Sequence, residues 1–237
     1  MLRTEGNMLE SIDTAGTTFK SATRQQESLL APFEKKLLLR LAERMPAWIN
    51  SDHLTLLGFL GMILAGGCYF YAKWNPLALI GAVICVAVNW FGDSLDGTLA
   101  RVRNRQRPRY GFYVDHIADS FGAVFLIGGL GLSGYMTVAV ALVLIVSYFL
   151  LSIEIYLSTY TIGLFRLSFG IWGPTELRIV LAFGTLVLLE KPIVNIGAAS
   201  YLLCDVGGVV AIVFFVLFTT GSAIQHTIQL YREERLQ

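Results

Sequence analysis

The stretch Leu77-Ala-Leu-Ile-Gly-Ala-Val-Ile-Cys-Val-Ala-Val-Asn-Trp-Phe-Gly-Asp93-Ser-Leu-Asp96-Gly97-Thr-Leu-Ala100-Arg101 decides the architecture. Its first part, about Leu77–Leu95, is an apolar run of the length an α-helix needs to cross a bilayer. Its end carries two carboxylates, Asp93 and Asp96, at i,i+3 spacing, so both lie on one face of that helix. Carboxylates beside hydrocarbon are costly and are usually kept for function. A further apolar run, about Gly111–Leu132, opens with Gly111-Phe-Tyr-Val-Asp115-His116-Ile-Ala-Asp119 and repeats the pattern at i,i+4. The loop between the two pairs is short and holds Arg103, Arg105, Arg107 and Arg109. It predicts antiparallel neighbours whose Asp pairs face each other.

The rest of the chain agrees with a membrane setting. Of its 237 residues 55% are hydrophobic and only 15% are charged, too apolar for an ordinary soluble domain. The expected class is all-α: a polytopic membrane protein with six transmembrane helices preceded by an N-terminal amphipathic interfacial helix. The spans are expected at about Leu54–Tyr71, Leu77–Leu95, Gly111–Leu132, Tyr135–Tyr156, Pro174–Leu189 (a short one) and Val206–Leu230. The stretch Ile193–Leu203 is compatible with span five, span six or a re-entrant turn. Residues 1–25 read as a mobile cytoplasmic arm, 26–50 as an amphipathic juxtamembrane helix with a basic polar face, and 51–237 as the six-span domain. Cys68, Cys85 and Cys204 are scattered through apolar runs and form neither a metal spacing nor a disulfide framework. The net charge of +1 identifies no partner by itself, and no nucleic acid is expected among the partners.

Of the eighteen Lys and Arg residues, only Lys73 and Lys191 fall in what would be outer loops if the N-terminus is inside. The positive-inside bias therefore predicts N-in and C-in. Both Asp pairs then sit at cytoplasmic helix ends, within reach of a cytosolic nucleotide.

Four converging carboxylates repel unless cations hold them together. Hard oxygen ligands select Mg²⁺ or Mn²⁺ (or Ca²⁺) rather than zinc, and two such ions could bind a pyrophosphate. Gly97, Ala100 and Gly111 allow close approach of a nucleotide, or equally of a packed helix. Arg101, one turn beyond Gly97, can reach phosphate oxygens. Arg103, Arg105, Arg107 and Arg109 read as topogenic and headgroup-contacting residues.

The run Asp93-x-x-Asp96-Gly97-x-x-Ala100-Arg101…Gly111-x-x-x-Asp115-x-x-x-Asp119 resembles the signature of the CDP-alcohol phosphotransferases in all of its defining residues. One departure is the nine residues between Arg101 and Gly111, one more than the family pattern, in a loop where an insertion costs little. The resemblance implies six spans behind an interfacial helix. It also implies transfer of a substituted phosphate from a CDP-linked lipid or headgroup donor to an alcohol acceptor, with release of CMP, in phospholipid biosynthesis. By the same resemblance Asp93, Asp96, Asp115 and Asp119 hold the metal, two Mg²⁺ or Mn²⁺ ions, and Asp119 is the base. Gly97, Ala100, Arg101 and Gly111 line the nucleotide site. Membrane lipids and a second copy of the chain, as a homodimer, are the other expected partners, and a bacterial inner membrane is the expected location.

Family members often open span one with Pro-Asn-x-Leu-Thr. Here the text is Ile49-Asn50-Ser51-Asp52-His53-Leu54-Thr55, so Asp52 and Thr55 are carried over as nucleotide contacts, with a helix cap as the other reading of Asp52. Asp115-His116…Asp119-Ser120 is similar to the wording of choline and ethanolamine phosphotransferases, which use diacylglycerol as acceptor. His116 is therefore an acceptor-side residue or a boundary hydrogen-bonding group. Glu176 and Arg178 open span five and read either as acceptor-binding residues or as a helix-start or ion-pair device. Glu154 is a weaker pocket residue and Asp205 a helix cap. The chain lacks the Gly-Lys-x-Lys-Thr run of phosphatidylglycerophosphate synthases, which lowers glycerol phosphate as acceptor.

Two other classes use acidic clusters in membranes. A prenyltransferase needs two clusters far apart in sequence and leaves Gly97, Ala100 and Arg101 without a role. A cation transporter needs acidic residues near mid-membrane, and here they gather beside arginines.

Overall fold

The computed structural model describes residues 23–25, 30–166 and 173–234, so most of the expected arm over 1–25 lies outside the described residues. In chain order the elements are β1 (Thr23–Gln25), α1 (Ala31–Arg44), α2 (Ser51–Tyr71), α3 (Ala78–Val102) and α4 (Pro108–Leu132). They are followed by α5 (Val138–Thr161), β2 (Leu164–Arg166), α6 (Pro174–Val187), β3 (Ile193–Ile196), β4 (Ala199–Leu202) and α7 (Leu203–Glu233). The protein is an all-α polytopic membrane protein.

Five helices, α2 to α5 and α7, are long and apolar enough to cross a bilayer. Expected span five corresponds to α6, which has 14 residues. At about 1.5 Å per residue it rises about 21 Å, short of a hydrocarbon core of about 30 Å. Over Ile193–Leu202 the ambiguous stretch belongs to neither span, and Leu203 opens α7. The stretch forms the antiparallel β3–β4 hairpin, in which Ile193 pairs with Leu202 and Gly197 turns at φ +63°. That backbone region suits Gly and resists a helical continuation. β1 lies parallel to β2, which joins the segment before α1 to the α5–α6 connection.

The helix α1 forms where the sequence has a Pro in the first turn, an early Glu34 and a late Arg44, which suit the helix dipole. Its inner face carries Glu34, Leu38 and Ala42, and Leu38 and Ala42 pack with Leu54, Leu95 and Leu99. The N-cap of α2 is Asn50, whose side chain accepts from His53 N at 3.0 Å, while His53 Nδ1 accepts from Asn50 N at 3.3 Å. Asp52 is therefore not the cap.

The helix α2 packs against both α3 and α4, α5 bridges α4 and α7, and α6 rests on α3. Small residues set the α2–α3 distance: a Cβ on Gly92 would meet Gly58 N at 2.6 Å. At the end away from the Arg-rich loop, Tyr69, Leu79, Leu130, Met136 and Leu188 form a second apolar core. There the Tyr69 hydroxyl and Thr185 Oγ1 are 2.6 Å apart, joining α2 to α6. Large apolar side chains such as Leu64, Leu142 and Leu217 are exposed on the outside of the bundle, as a lipid-facing surface requires.

Candidate active site

The helix α3 does not stop at Leu95 but continues to Val102, and α4 starts at Pro108 with Pro in its first turn. Asp93, Asp96, Gly97, Ala100 and Arg101 therefore share one continuous helix, and Asp115 and Asp119 stand on α4, which packs with α3 on the common helix α2 rather than directly against it. Carboxylate oxygens of Asp93, Asp115 and Asp119 lie within 4.8 Å of one another. They line a cavity of about 10 Å³, whose wall also includes Thr55, Gly58 and Asn89. That is room for one water-sized body. Three carboxylate oxygens around such a space are a donor set for a hard divalent cation, so these residues fit the metal that the motif implies.

Asp96 is adjacent but differently held. Its Oδ2 accepts from Thr55 Oγ1 at 2.6 Å, and its Oδ1 accepts from Gly97 N. Thr55, expected at a nucleotide, here orients an aspartate. Arg101 Nη2 donates to Thr98 Oγ1 at 2.9 Å, on the Gly97 side of α3. A Cβ on Gly111 would meet nothing within 4 Å, so that surface is open.

Arg178 comes from the first turns of α6 and donates to Asp93 Oδ2 at 2.6 Å. Spans five and two of the sequence thus meet at the acidic cluster. Glu176, two residues earlier, is turned elsewhere: its Oε1 accepts from Leu30 N and its Oε2 from Gly173 N, both at 2.9 Å. Its carboxylate starts α6 and ties it to α1, the helix-start reading of the two offered by the sequence. His116 donates from Nδ1 to Phe112 O at 2.6 Å, stacks on Phe112 and meets Tyr156 edge-on with centroids 5.0 Å apart. It thus packs between α4 and α5, beside Asp115. Glu154 is paired with His226 of α7 at 2.6 Å, and Asp205 accepts from Thr137 N at 2.7 Å, at the start of α5.

At the loop end of α3 a cavity of about 380 Å³ is lined by Asn50, Asp52, Ala100, Arg103, Arg105 and Arg107, among others. Its size is that of a small-molecule pocket. Arg107 pairs with Asp52 and lies 4.1 Å from the centroid of Tyr110. Hydrogen bonding to Asp52 holds the Arg107 guanidinium above its ordinary pKa. Arg103 corrects the expectation of a headgroup contact. It donates to the carbonyls of Met45 and Pro46, each at 2.9 Å, and to that of Ile49. It clips the α1–α2 connection to the end of α3.

Sequence reasoning missed Glu34. It is 7% exposed, and its Oε1 accepts from Trp90 Nε1 at 2.8 Å, Ser94 Oγ at 3.1 Å and Thr175 Oγ1 at 2.7 Å. One carboxylate so joins α1, α3 and the start of α6. The only sequence signal was an acidic residue on the same face as Leu38 and Ala42.

The sequence profile of the CDP-alcohol phosphatidyltransferase family matches residues 48–220, well over half of the chain. The chain belongs to this family. The protein is accordingly a phosphotransferase that moves a substituted phosphate from a CDP-alcohol to an acceptor, and α2 through most of α7 carry that match. A comparison with curated proteins gives no match.

Proposed function

We propose that the protein transfers a substituted phosphate from CDP-diacylglycerol or a CDP-linked headgroup to an acceptor hydroxyl, releasing CMP, in a Mg²⁺- or Mn²⁺-dependent reaction. The observation that carries this reading is the convergence of Asp93, Asp115 and Asp119 from two antiparallel helices onto one small cavity. Asp93, Asp96, Asp115 and Asp119 are the residues that would hold the metal. The cation, when bound, supplies charge neutralisation at the pyrophosphate and polarises the phosphorus under attack.

The chain's own residues do the rest. Thr55 and the Gly97 amide fix the Asp96 carboxylate on the nucleotide side. Arg101, whose guanidinium lies over Gly97, offers it to donor phosphate oxygens, with the open surface at Gly111 leaving room for them. Ala100 and Asp52 line the larger cavity, which suits the cytidine half. Asp119 accepts the proton of the acceptor hydroxyl as its oxygen bonds to phosphorus and the bond to CMP breaks. Positioning and charge compensation do most of the work in such a transfer. Arg178, held on Asp93, balances the acidic cluster and faces the acceptor side. His116, packed with Phe112 and Tyr156, borders the acceptor. The lysine and arginine bias supports a cytoplasmic site with both termini inside. The active unit is a homodimer in a bacterial inner membrane.

CMP release by the purified protein in lipid tests this reading. CDP-diacylglycerol and CDP-ethanolamine are offered in parallel against inositol, inositol phosphate, glycerol phosphate, serine and diacylglycerol. The expected result is release with one donor–acceptor pair, abolished by EDTA and by Asp119→Asn. Cation flux in liposomes without CMP release would overturn it in favour of a transporter.

A further inference from the structure

Among the described residues only two buried side-chain oxygens lack a hydrogen-bond partner, Asn89 Oδ1 and Thr219 Oγ1. Asn89 is 2% exposed. It stands one turn before Asp93 on α3, on the same helix face. It lines the same small cavity as Asp93, Asp115 and Asp119. Its amide nitrogen is used: Nδ2 donates to Gly58 O of α2 at 3.1 Å. That bond fixes the amide plane and leaves the carbonyl oxygen as the unused half of the group. The backbone around it is equally fixed, since a Cβ on Gly61 would meet Asn89 N at 2.9 Å. A buried carbonyl oxygen without a donor is unfavourable in a protein and more so in a bilayer, where no bulk water competes for it. A cation, or a water held on one, satisfies it.

We propose that Asn89 is a cation-directed oxygen at the floor of the site, outside the four-aspartate motif. It completes the cavity from below while Asp93, Asp115 and Asp119 close it from the loop side. A neutral amide adds an oxygen to the hard donor set without adding to the repulsion among the carboxylates. It is a positioning residue, because it acts on the ion rather than on the reacting atoms. The proposal rests on the metal reading of the site given above.

Mn²⁺ binding to the full-length protein in nanodiscs, read from the free-ion electron paramagnetic resonance signal without nucleotide, tests it apart from activity. Asn89→Leu keeps most of the volume and removes the oxygen; Mn²⁺ affinity is expected to fall about 10–100-fold, as for other groups that support a metal site. Asn89→Asp loses the donor to Gly58 O but keeps an oxygen; its Mn²⁺ affinity is expected to equal or exceed that of the wild type. A merely structural amide predicts the opposite for Asn89→Asp, which would then weaken Mn²⁺ along with Asn89→Leu, and that result overturns the proposal. So does a folded Asn89→Leu protein that binds Mn²⁺ like the wild type. Should Asn89→Leu fail to fold, Asn89→Asp decides alone. Wild-type protein that binds no Mn²⁺ would overturn the metal site itself, and the role of Asn89 with it.

Discussion

Two sets of carboxylates in this molecule are handled in opposite ways. Glu34 and Glu176 are buried, and protein donors surround them: an indole N–H and two hydroxyls for the first, two backbone amides for the second. Asp93, Asp115 and Asp119 lie a few residues away along neighbouring helices, yet they point at one another. Arg178 donates to Asp93 and brings one positive charge to this set. The glutamates are closed by the fold and hold α1, α3 and α6 together. The aspartates are left turned toward a shared space, where their repulsion has to be balanced by a positive species. The difference shows that an acidic residue in a membrane protein is read from its donors, not from its depth.

The sharpest way to break the comparison is Asp119→Asn. CMP release should fall about 10²–10⁴-fold if Asp119 is the base, with CDP binding largely kept. Full activity in this variant would remove Asp119 from that role. Removal of divalent cations comes next. EDTA should abolish turnover and lower the thermal midpoint, and Mg²⁺ should restore both, because the aspartates but not the glutamates need a cation. A midpoint unmoved by Mg²⁺ would erase the distinction between the two sets.

Glu34→Ala probes the other set. Removing a buried carboxylate that serves three donors should cost about 1–3 kcal/mol of stability, read from thermal denaturation in nanodiscs. Activity per folded molecule should stay within a few-fold of wild type. A large loss of turnover in folded protein would show that α1 does more than brace the site. Arg178→Ala should raise the acceptor KM more than the donor KM, and the reverse pattern would move Arg178 to the nucleotide side. The smallest effect is expected at the solvent-exposed Arg107–Asp52 pair. Asp52→Asn should shift the donor KM modestly and leave the thermal midpoint unchanged, since exposed ion pairs contribute little to stability.

The aspartates were legible in the sequence because helical spacing puts i, i+3 and i+4 on one face, and a short loop turns two such faces toward each other. The five long spans were legible for a related reason, since a bilayer demands apolar runs of fixed length, whereas α6 at the expected span five has only 14 residues. The hairpin at Ile193–Leu202 was not, since its β-branched residues read equally well as membrane helix until Gly197 breaks the run. Arg103 was misread as a headgroup contact because composition does not reveal that the carbonyls of Met45, Pro46 and Ile49 end beneath it.

What the amino-acid order determined by itself is local and periodic: which segments are helices in lipid, which residues share a helix face, and that four carboxylates with their glycines and arginine form the family's signature. What only the tertiary structure decided is which acidic groups are already satisfied. Arg178 on Asp93, Glu176 on Leu30 N, Glu34 under Trp90 and the unpartnered oxygen of Asn89 depend on contacts between elements up to 146 residues apart. Hydrogen bonds form between groups a few ångströms apart in space, and no periodicity along the chain specifies such distances across helices.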